Sequence, residues 1–409
     1  VSELIALVAE PLIKIIVLIS ILLPTVLYLV LLERWIAAWI QDRLGPNRVG
    51  PMGLGHAIAD AFKLLFKEDV IPNGVDKPLY LLAPAIIVIP ALCTIAVIPF
   101  ADTVTAFGHT VRLQIADVNI GVLYILSIAS LGVYGIVLGG WSSNSKYAFL
   151  GGIRSAAQLL SYEPALVLAV LGVVMLAGSL QLDDIVVYQS QTYLGVIPRW
   201  NIFVQPLAFV VFMTCAFAET NRAPFDVAEA EQELVAGYHT EYSSMKWVLF
   251  FVAEYSNMVV SSALMATLFF GGWHFPYLAE PVGSARDLLG GGILGGLVKV
   301  GVFCAKTGAF LFVFMWVRWT LPRFKFNQIM SLAWKVLVPL ALANIAAVAL
   351  TLYLFARPGP DAGLLPTVAQ VVLMALNVAG FALVLFVIPW LSRATTARRP
   401  AAAALAAAA

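Results

Sequence analysis

Charge is the scarcest property of this chain of 409 residues. Only 11% of them are Asp, Glu, Lys or Arg and 61% are hydrophobic, against about 25% charged in a soluble globular chain. A water-soluble core cannot absorb that much apolar surface, so the solvent is expected to be lipid. The net charge of +1 lacks the basic footprint of a nucleic-acid binder. Cysteine is almost absent. Cys93, Cys215 and Cys304 sit singly inside apolar runs, which argues against a disulfide frame and against a zinc or iron–sulfur site. His56, His109, His239 and His274 are equally scattered. The glycine run "GGGILGG" from Gly290 to Gly296 is not followed by GK[ST], so it reads as a turn and not as a phosphate loop. No internal repeat is seen, and the first apolar run lacks a small-residue cleavage site, so it reads as a span that stays.

What the chain has instead is long apolar runs. Nine windows of about 20 residues are long enough to cross the hydrocarbon as helices: 12–33, 79–101, 118–141, 162–181, 201–219, 246–271, 297–320, 334–356 and 367–391. Pro24, Pro84, Pro90, Pro206 and Pro339 inside them predict kinks and not breaks. The expected fold is an all-α integral membrane protein. It forms one polytopic domain over 1–392, followed by a low-complexity tail over 393–409 that includes "AAAALAAAA".

Basic residues fall unevenly between the spans. Connection 1–2 holds Arg34, Arg43, Arg48, Lys63, Lys67 and Lys77, and further cations lie in alternate connections and in the tail at Arg393, Arg398 and Arg399. The opposite connections hold one each, Arg112, Arg199, Arg286 and Arg357. Positive residues stay inside, so the N-terminus is expected outside and the C-terminus in the cytoplasm.

Two cytoplasmic connections are unusual. In "MGLGHAIADAFKLLFKED", Leu54, Ile58, Phe62, Leu65 and Phe66 recur at helical spacing, with Asp60, Lys63 and Lys67 mainly to the other side. An amphipathic helix over 52–67 is expected at the interface or against the bundle. It follows "ERWIAAWIQDRLGPNRVGP", where Gly45-Pro46 and Gly50-Pro51 mark turns. Arg34, Arg43 and Arg48 with Trp35 and Trp39 could be a plain interfacial anchor. The turns and the following helix suggest more: the wall of a cleft open to the bilayer, suited to a lipid-like ligand with a polar head.

The second connection runs "AETNRAPFDVAEAEQELVAGYHTEY" from Ala218 to Tyr242. It holds six of the 23 acids, Glu219, Asp226, Glu229, Glu231, Glu233 and Glu241, against one cation, Arg222. Pro224 suits the first position of a helix whose positive first turn would hold Asp226 and Glu229, so a helical loop is expected over 219–243. A solvated helix end would account for these acids. Charges at membrane depth nearby speak for a proton route: Glu163 at the start of span 4, Glu254 inside span 6, and Lys299 and Lys306 in span 7. For Glu163 and Lys299 the plainer reading is snorkelling at a helix end. Clustered carboxylates raise one another's proton affinity and make exchangeable sites.

Several blocks in fixed order carry a resemblance. "GPNRVG" with "AD..KL..KE" from Ala59 to Glu68, "RSAAQLLSYE" from Arg154 to Glu163, "AETNRAPFD.AEAE.ELV.GY..EY", "EYSNM" from Glu254, and "R..LPRF...Q.M" from Arg318 to Met330 together resemble the H subunit of bacterial proton-pumping NADH:quinone oxidoreductase, respiratory complex I. The match covers about residues 15–345 and leaves span 367–391 as an addition. The sequence departs from the family pattern at Trp35, where lysine is usual, at Gly55-His56, where Gln-Pro is usual, and at Asn327, where Asp is usual.

The resemblance implies a membrane-arm subunit at the foot of the peripheral redox arm, forming part of a quinone chamber and coupling quinone reduction to proton translocation. It implies quinone as substrate, with NADH, FMN and iron–sulfur clusters on partner subunits. The partners would be other membrane-arm subunits and the redox-arm subunits at the chamber, with no nucleic acid. The place would be the bacterial inner membrane. Arg34, Trp35, Arg43, Arg48, Asp60, Lys63 and Phe225 are carried over to the quinone site. Glu163, Glu219, Asp226, Glu229, Glu231, Glu233, Glu241 and Glu254 are carried over to proton coupling, and Lys306 is added by its membrane depth. The homologous subunit of a membrane-bound hydrogenase or a related quinone or phenazine-type reductase is the alternative. A free-standing secondary transporter is less favoured, because paired repeats with broken spans are not seen.

Overall fold

The computed structural model describes residues 2–106, 109–193, 197–227, 235–275, 292–355, 366 and 368–382. Among them the chain is helical almost throughout. In order come α1 (Ser2–Ile40), α2 (Gly55–Leu65), α3 (Lys77–Ile95), α4 (Gly121–Ser142), α5 (Lys146–Ala177), α6 (Leu182–Gln189), α7 (Asn201–Val204), α8 (Pro206–Glu219), α9 (Ser244–Phe269), α10 (Ile293–Thr320), α11 (Phe326–Leu332) and α12 (Val338–Phe355). A last helix, α13, covers Val368–Ala382. Two small antiparallel hairpins, Thr103–Ala106 with His109–Arg112 and Thr192–Tyr193 with Ile197–Pro198, lie in connections. Seven of the described helical segments are long and apolar enough to cross a membrane, with α11 and α12 counted as one; Pro206–Glu219 and Val368–Ala382 are shorter apolar helices. The molecule is an all-α integral membrane protein. The second half of the 367–391 span and the tail lie outside the described residues.

Several boundaries differ from the hydropathy reading, each for a physical reason. Helix α1 runs on through Glu33 and Arg34 to Ile40, so Arg34 and Trp35 are helical residues and do not follow the span. The charges do not end the helix because they find partners across the bundle. Helix α5 begins at Lys146, not near 162. Its first half is polar in sequence, but Ser155, Gln158 and Ser161 are buried and bonded within the protein. Glu163 therefore sits mid-helix and is no helix-end residue.

The fifth span is broken, where a kink was expected. Gln205 leaves the helix at φ −129°, ψ 58°, between α7 and α8. Pro206 has no N–H to continue the ladder, and the Gln205 side chain instead donates to the Gly172 carbonyl at 2.8 Å. At Pro339 the accommodation is a π turn over Ala333–Leu337, just upstream. Pro24, Pro84 and Pro90 remain inside their helices.

The helix expected from Pro224 does not form over the described residues. Asn221 to Val227 are turns closed by short backbone bonds, Phe225 N to the Arg222 carbonyl and Val227 N to the Phe225 carbonyl. Phe225 is buried against Tyr162 and Phe324, and that burial folds the segment onto the bundle. Further on, Gly237–His239 form a short 3-10 turn. Glu229, Glu231 and Glu233 lie outside the described residues.

Helix α2 has the expected amphipathic character. Ile58, Phe62 and Leu65 are exposed, whereas Ala57 is buried. The apolar face thus points away from the bundle, as a helix at a lipid interface requires. The preceding loop is tightly built. Gly45 lies against Trp35, whose indole N–H donates to the Pro46 carbonyl at 3.3 Å. Gly53 sits at φ +78°, where a Cβ would run into that same carbonyl.

The core gathers around α5, α8 and α9, with Val170, Ala216, Phe212 and Met265 almost fully buried.

Candidate functional site

A cavity of about 830 Å³ opens where α1, α9, α10 and the turn after α8 meet. Glu33, which sequence reasoning did not single out, lines it. Glu33 is buried and accepts from the Tyr255 hydroxyl and from the Arg318 guanidinium. Arg222 lies 3.6 Å from the same carboxylate and stacks 4.1 Å above the Tyr255 ring. One buried acid thus holds two arginines and a tyrosine from three separate elements, so its negative charge is compensated on every side.

The cavity wall continues through Arg34, Arg43, Asp226 and Glu254, all expected site residues, and through His239, Trp247, Phe251, Trp319 and Arg323. Arg323 donates to Asp226 at 2.9 Å. Burial pushes the Asp226 carboxyl above its ordinary value, and the neighbouring Arg323 and Arg318 pull it part of the way back. Tyr238 donates to Glu254 at 2.8 Å. Burial lowers the His239 imidazole, opposed by the Glu254 charge. Arg222 Nε and Nη2, Asp226 Oδ1 and His239 Nδ1 are buried with no hydrogen-bond partner among the described residues. A cavity so lined presents aromatic walls and unspent donors and acceptors of both kinds.

A second cavity, of about 60 Å³, lies deeper, between α4, α5, α8 and α9. Glu163 and Glu219 both line it, with Ser130, Tyr162 and Asn257, and Ser130 donates to Glu163. The turn after α8 joins the two cavities. Gln158 donates to the Ala218 carbonyl at 2.9 Å and to Asn221 Oδ1 at 3.2 Å, and Asn221 donates to Ser155 at 3.1 Å. Asn221 adopts φ +48° there, a conformation asparagine tolerates better than most residues. This anchoring turns Glu219 to the small cavity and Arg222, Ala223 and Asp226 to the large one. Phe225 packs against Tyr162 and lines neither cavity.

Other expected residues lie apart. Trp35 and Asp60 flank the large cavity through Pro46 and Arg34. Arg48 and Lys63 are exposed on the loop and on α2 and do not line either cavity. Glu241 contributes its backbone carbonyl to the Tyr80 hydroxyl, at 2.7 Å. Lys306 is held elsewhere: its ammonium donates to the carbonyls of Phe270, Gly272 and His274 at 2.6–2.8 Å, past the C-terminal end of α9. Glu33, Arg222, Tyr255, Arg318 and Arg323 were the residues missed as site members. A lone acid followed by arginine at the end of an apolar run was the trace Glu33 left in the sequence.

These features define a polytopic helical membrane protein with a charged, aromatic-walled cavity and a second, smaller cavity lined by two half-buried carboxylates. The family model described as NADH dehydrogenase matches residues 13–349. The chain is 52% identical over 332 residues to an H subunit of the NADH-quinone oxidoreductase of Geobacter metallireducens, covering 81% of this chain and 93% of that protein. It is 51% identical over 338 residues to NADH-quinone oxidoreductase subunit 8 of Rhodothermus marinus, covering 82% and 95%. It is 48% identical over 353 residues to an H subunit of the NADH-quinone oxidoreductase of Koribacter versatilis, covering 83% and 96%. The chain belongs to the H-subunit family of NADH-quinone oxidoreductase and is a membrane subunit of that multi-subunit oxidoreductase.

Proposed function

We propose that the large cavity is this protein's share of a quinone chamber and that the acids behind it couple quinone reduction to proton translocation. The observation that carries the reading is the convergence of Arg34, Arg43, Arg222, Arg318 and Arg323 with Glu33, Asp226 and Glu254 around one aromatic-walled space. A quinone head needs hydrogen-bond donors for its two carbonyls and an apolar slot for its ring. Trp247, Phe251 and Trp319 offer the slot, and the arginines offer the donors. Reduction to quinol consumes two electrons and two protons. The electrons come from partner subunits that carry NADH, FMN and iron–sulfur clusters.

Negative charge appearing on the quinone raises the proton affinity of nearby acids. Asp226, already displaced upward and facing the cavity, is placed to respond. The same turn carries Glu219 into the second cavity beside Glu163, so a change in the charge or position of this turn is felt in both. That link serves as the first step of coupling, with Glu229, Glu231, Glu233, Glu241 and Glu254 as further members of the route. In this reading the protein sits in the bacterial inner membrane with its N-terminus outside. The cavity end faces the peripheral redox arm.

The test is Arg34→Ala in the assembled enzyme. Loss of a charge-assisted contact of roughly 1.5–3 kcal/mol raises the quinone KM about tenfold or more. NADH oxidation with a hydrophilic acceptor stays normal, because the redox arm is untouched. Unchanged quinone kinetics in fully assembled enzyme would remove Arg34 from the site.

A further inference from the structure

Arg34 does not face the cavity alone. Its Nη1 lies 2.8 Å from Asp60 Oδ2 on α2, and 3.2 Å from Nε2 and 3.4 Å from Nδ1 of His56, one turn earlier on the same helix. His56 Nδ1 is itself 3.4 Å from Asp60 Oδ2. Three ionisable side chains therefore meet between α1 and α2, at the rim of the cavity that Arg34 lines.

One protonation state suits both the Asp60 contact and the shorter Arg34 contact, at Nε2. A neutral imidazole with its proton on Nδ1 points that N–H at Asp60 and leaves Nε2 to accept from the Arg34 guanidinium. Protonation removes the acceptor. Nε2 then carries an N–H aimed at the guanidinium, so that two donors, both cationic, face each other across 3.2 Å. The imidazolium also competes with Arg34 for the single Asp60 oxygen. Both effects release the guanidinium.

We propose that His56 is a positioning residue for Arg34. Its neutral ring fixes the guanidinium toward the cavity and its protonation lets go, so that quinone engagement weakens as pH falls. The proposal rests on the reading of Arg34 as a quinone contact. Histidine is the side chain whose charge ordinarily changes between about pH 5 and 8.

Among the described residues, the surroundings leave the assignment to this trio. From α1, Arg34 faces the ring; from α2 itself, Asp60 does. The loop before α2 contributes Arg43, bonded to Gln41 at 2.7 Å, and the exposed Asp42 and Arg48. Helix α9 meets α2 through Ser244, which donates to the Leu64 and Lys67 carbonyls. Its nearby cation, Lys246, is paired with Asp69 at 2.8 Å.

The experiment measures quinone KM and kcat of the assembled membrane enzyme between about pH 5.5 and 8, with a short-chain quinone as probe. In the parent, KM rises about two- to fivefold toward acid, a size suited to a partly exposed charge contact, while NADH oxidation with a hydrophilic acceptor keeps its own profile. His56→Leu removes the acceptor, so KM is raised across the range and its acid dependence is lost. His56→Gln restores an uncharged acceptor, returns KM toward the parental neutral-pH value, and also lacks the acid rise. Arg34→Ala raises KM and flattens it. A raised KM in Arg34→Ala with an intact acid rise in both His56 variants overturns the role of His56 and leaves the site standing. An unaltered KM in Arg34→Ala overturns the site reading itself.

Discussion

Arg323, between α10 and α11, reaches Asp226 in the turn after α8 at 2.9 Å, closing the large cavity across 97 residues of sequence. Burial holds the Asp226 carboxyl above its ordinary value and the arginine opposes that rise. Arg323→Gln removes the opposition, and the carboxyl moves further up. The native state then keeps this proton where the unfolded chain has lost it. The group's stabilising contribution is therefore present at acid pH and is lost as pH rises through the raised native value. Difference infrared spectra, with the carboxyl band assigned through Asp226→Asn, should show that band persisting to higher pH in Arg323→Gln. An identical titration in both proteins contradicts the assignment.

The two acids of the small cavity give a second prediction. Glu163→Gln and Glu219→Gln keep the hydrogen-bonding shape and remove the charge, and a buried amide costs less than a buried carboxylate. Both variants should assemble. Proton pumping in sealed vesicles should fall by about tenfold or more, the scale of a lost proton-transfer group. Parental pumping in assembled complexes would leave these residues a purely structural role.

Much of this arrangement was legible in the sequence. Seven of the nine apolar runs are long apolar helices among the described residues, because hydrocarbon admits backbone only where its polar groups bond internally. Arg34, Arg43, Asp226 and Glu254 were expected site members, and the structure gathers all four around one cavity. Glu33 was not expected, because its meaning depends on Tyr255 and Arg318, 222 and 285 residues away. The break at Gln205 needed the Gly172 carbonyl, and the long α5 needed partners for Gln158. Pattern reading sees only the local chain, so it placed a helix at Pro224 where burial of Phe225 decides otherwise.

Lys306 supplies a third prediction. Its ammonium satisfies three carbonyls and lies 5.0 Å from the centre of the Trp200 ring. Lys306→Met strands those carbonyls and should cost the protein roughly 3–5 kcal/mol. The yield and thermal stability of the purified complex should fall, with the quinone KM of the surviving enzyme unchanged. Full stability with impaired pumping would instead place Lys306 on the proton route.

On the side opposite the large cavity, burial and then the Asp117 charge raise the Asp183 carboxyl of α6 to about 6. A folded value above the unfolded one makes its contribution largest in acid and removes it as pH rises from about 4 to about 6. Thermal unfolding of the complex in detergent should show that loss in the parent and not in Asp183→Asn. The same slope in both would assign it to another group.

We propose that the cavity around Glu33 takes the quinone head. The most direct measurement is photoaffinity labelling of the assembled enzyme with a quinone carrying a photoreactive group on its ring, with the labelled residues mapped by mass spectrometry. Labels are expected on Trp247, Phe251 or Trp319, and are lost when excess unlabelled quinone competes. Competable labelling of this chain confined to positions outside the large cavity would contradict it.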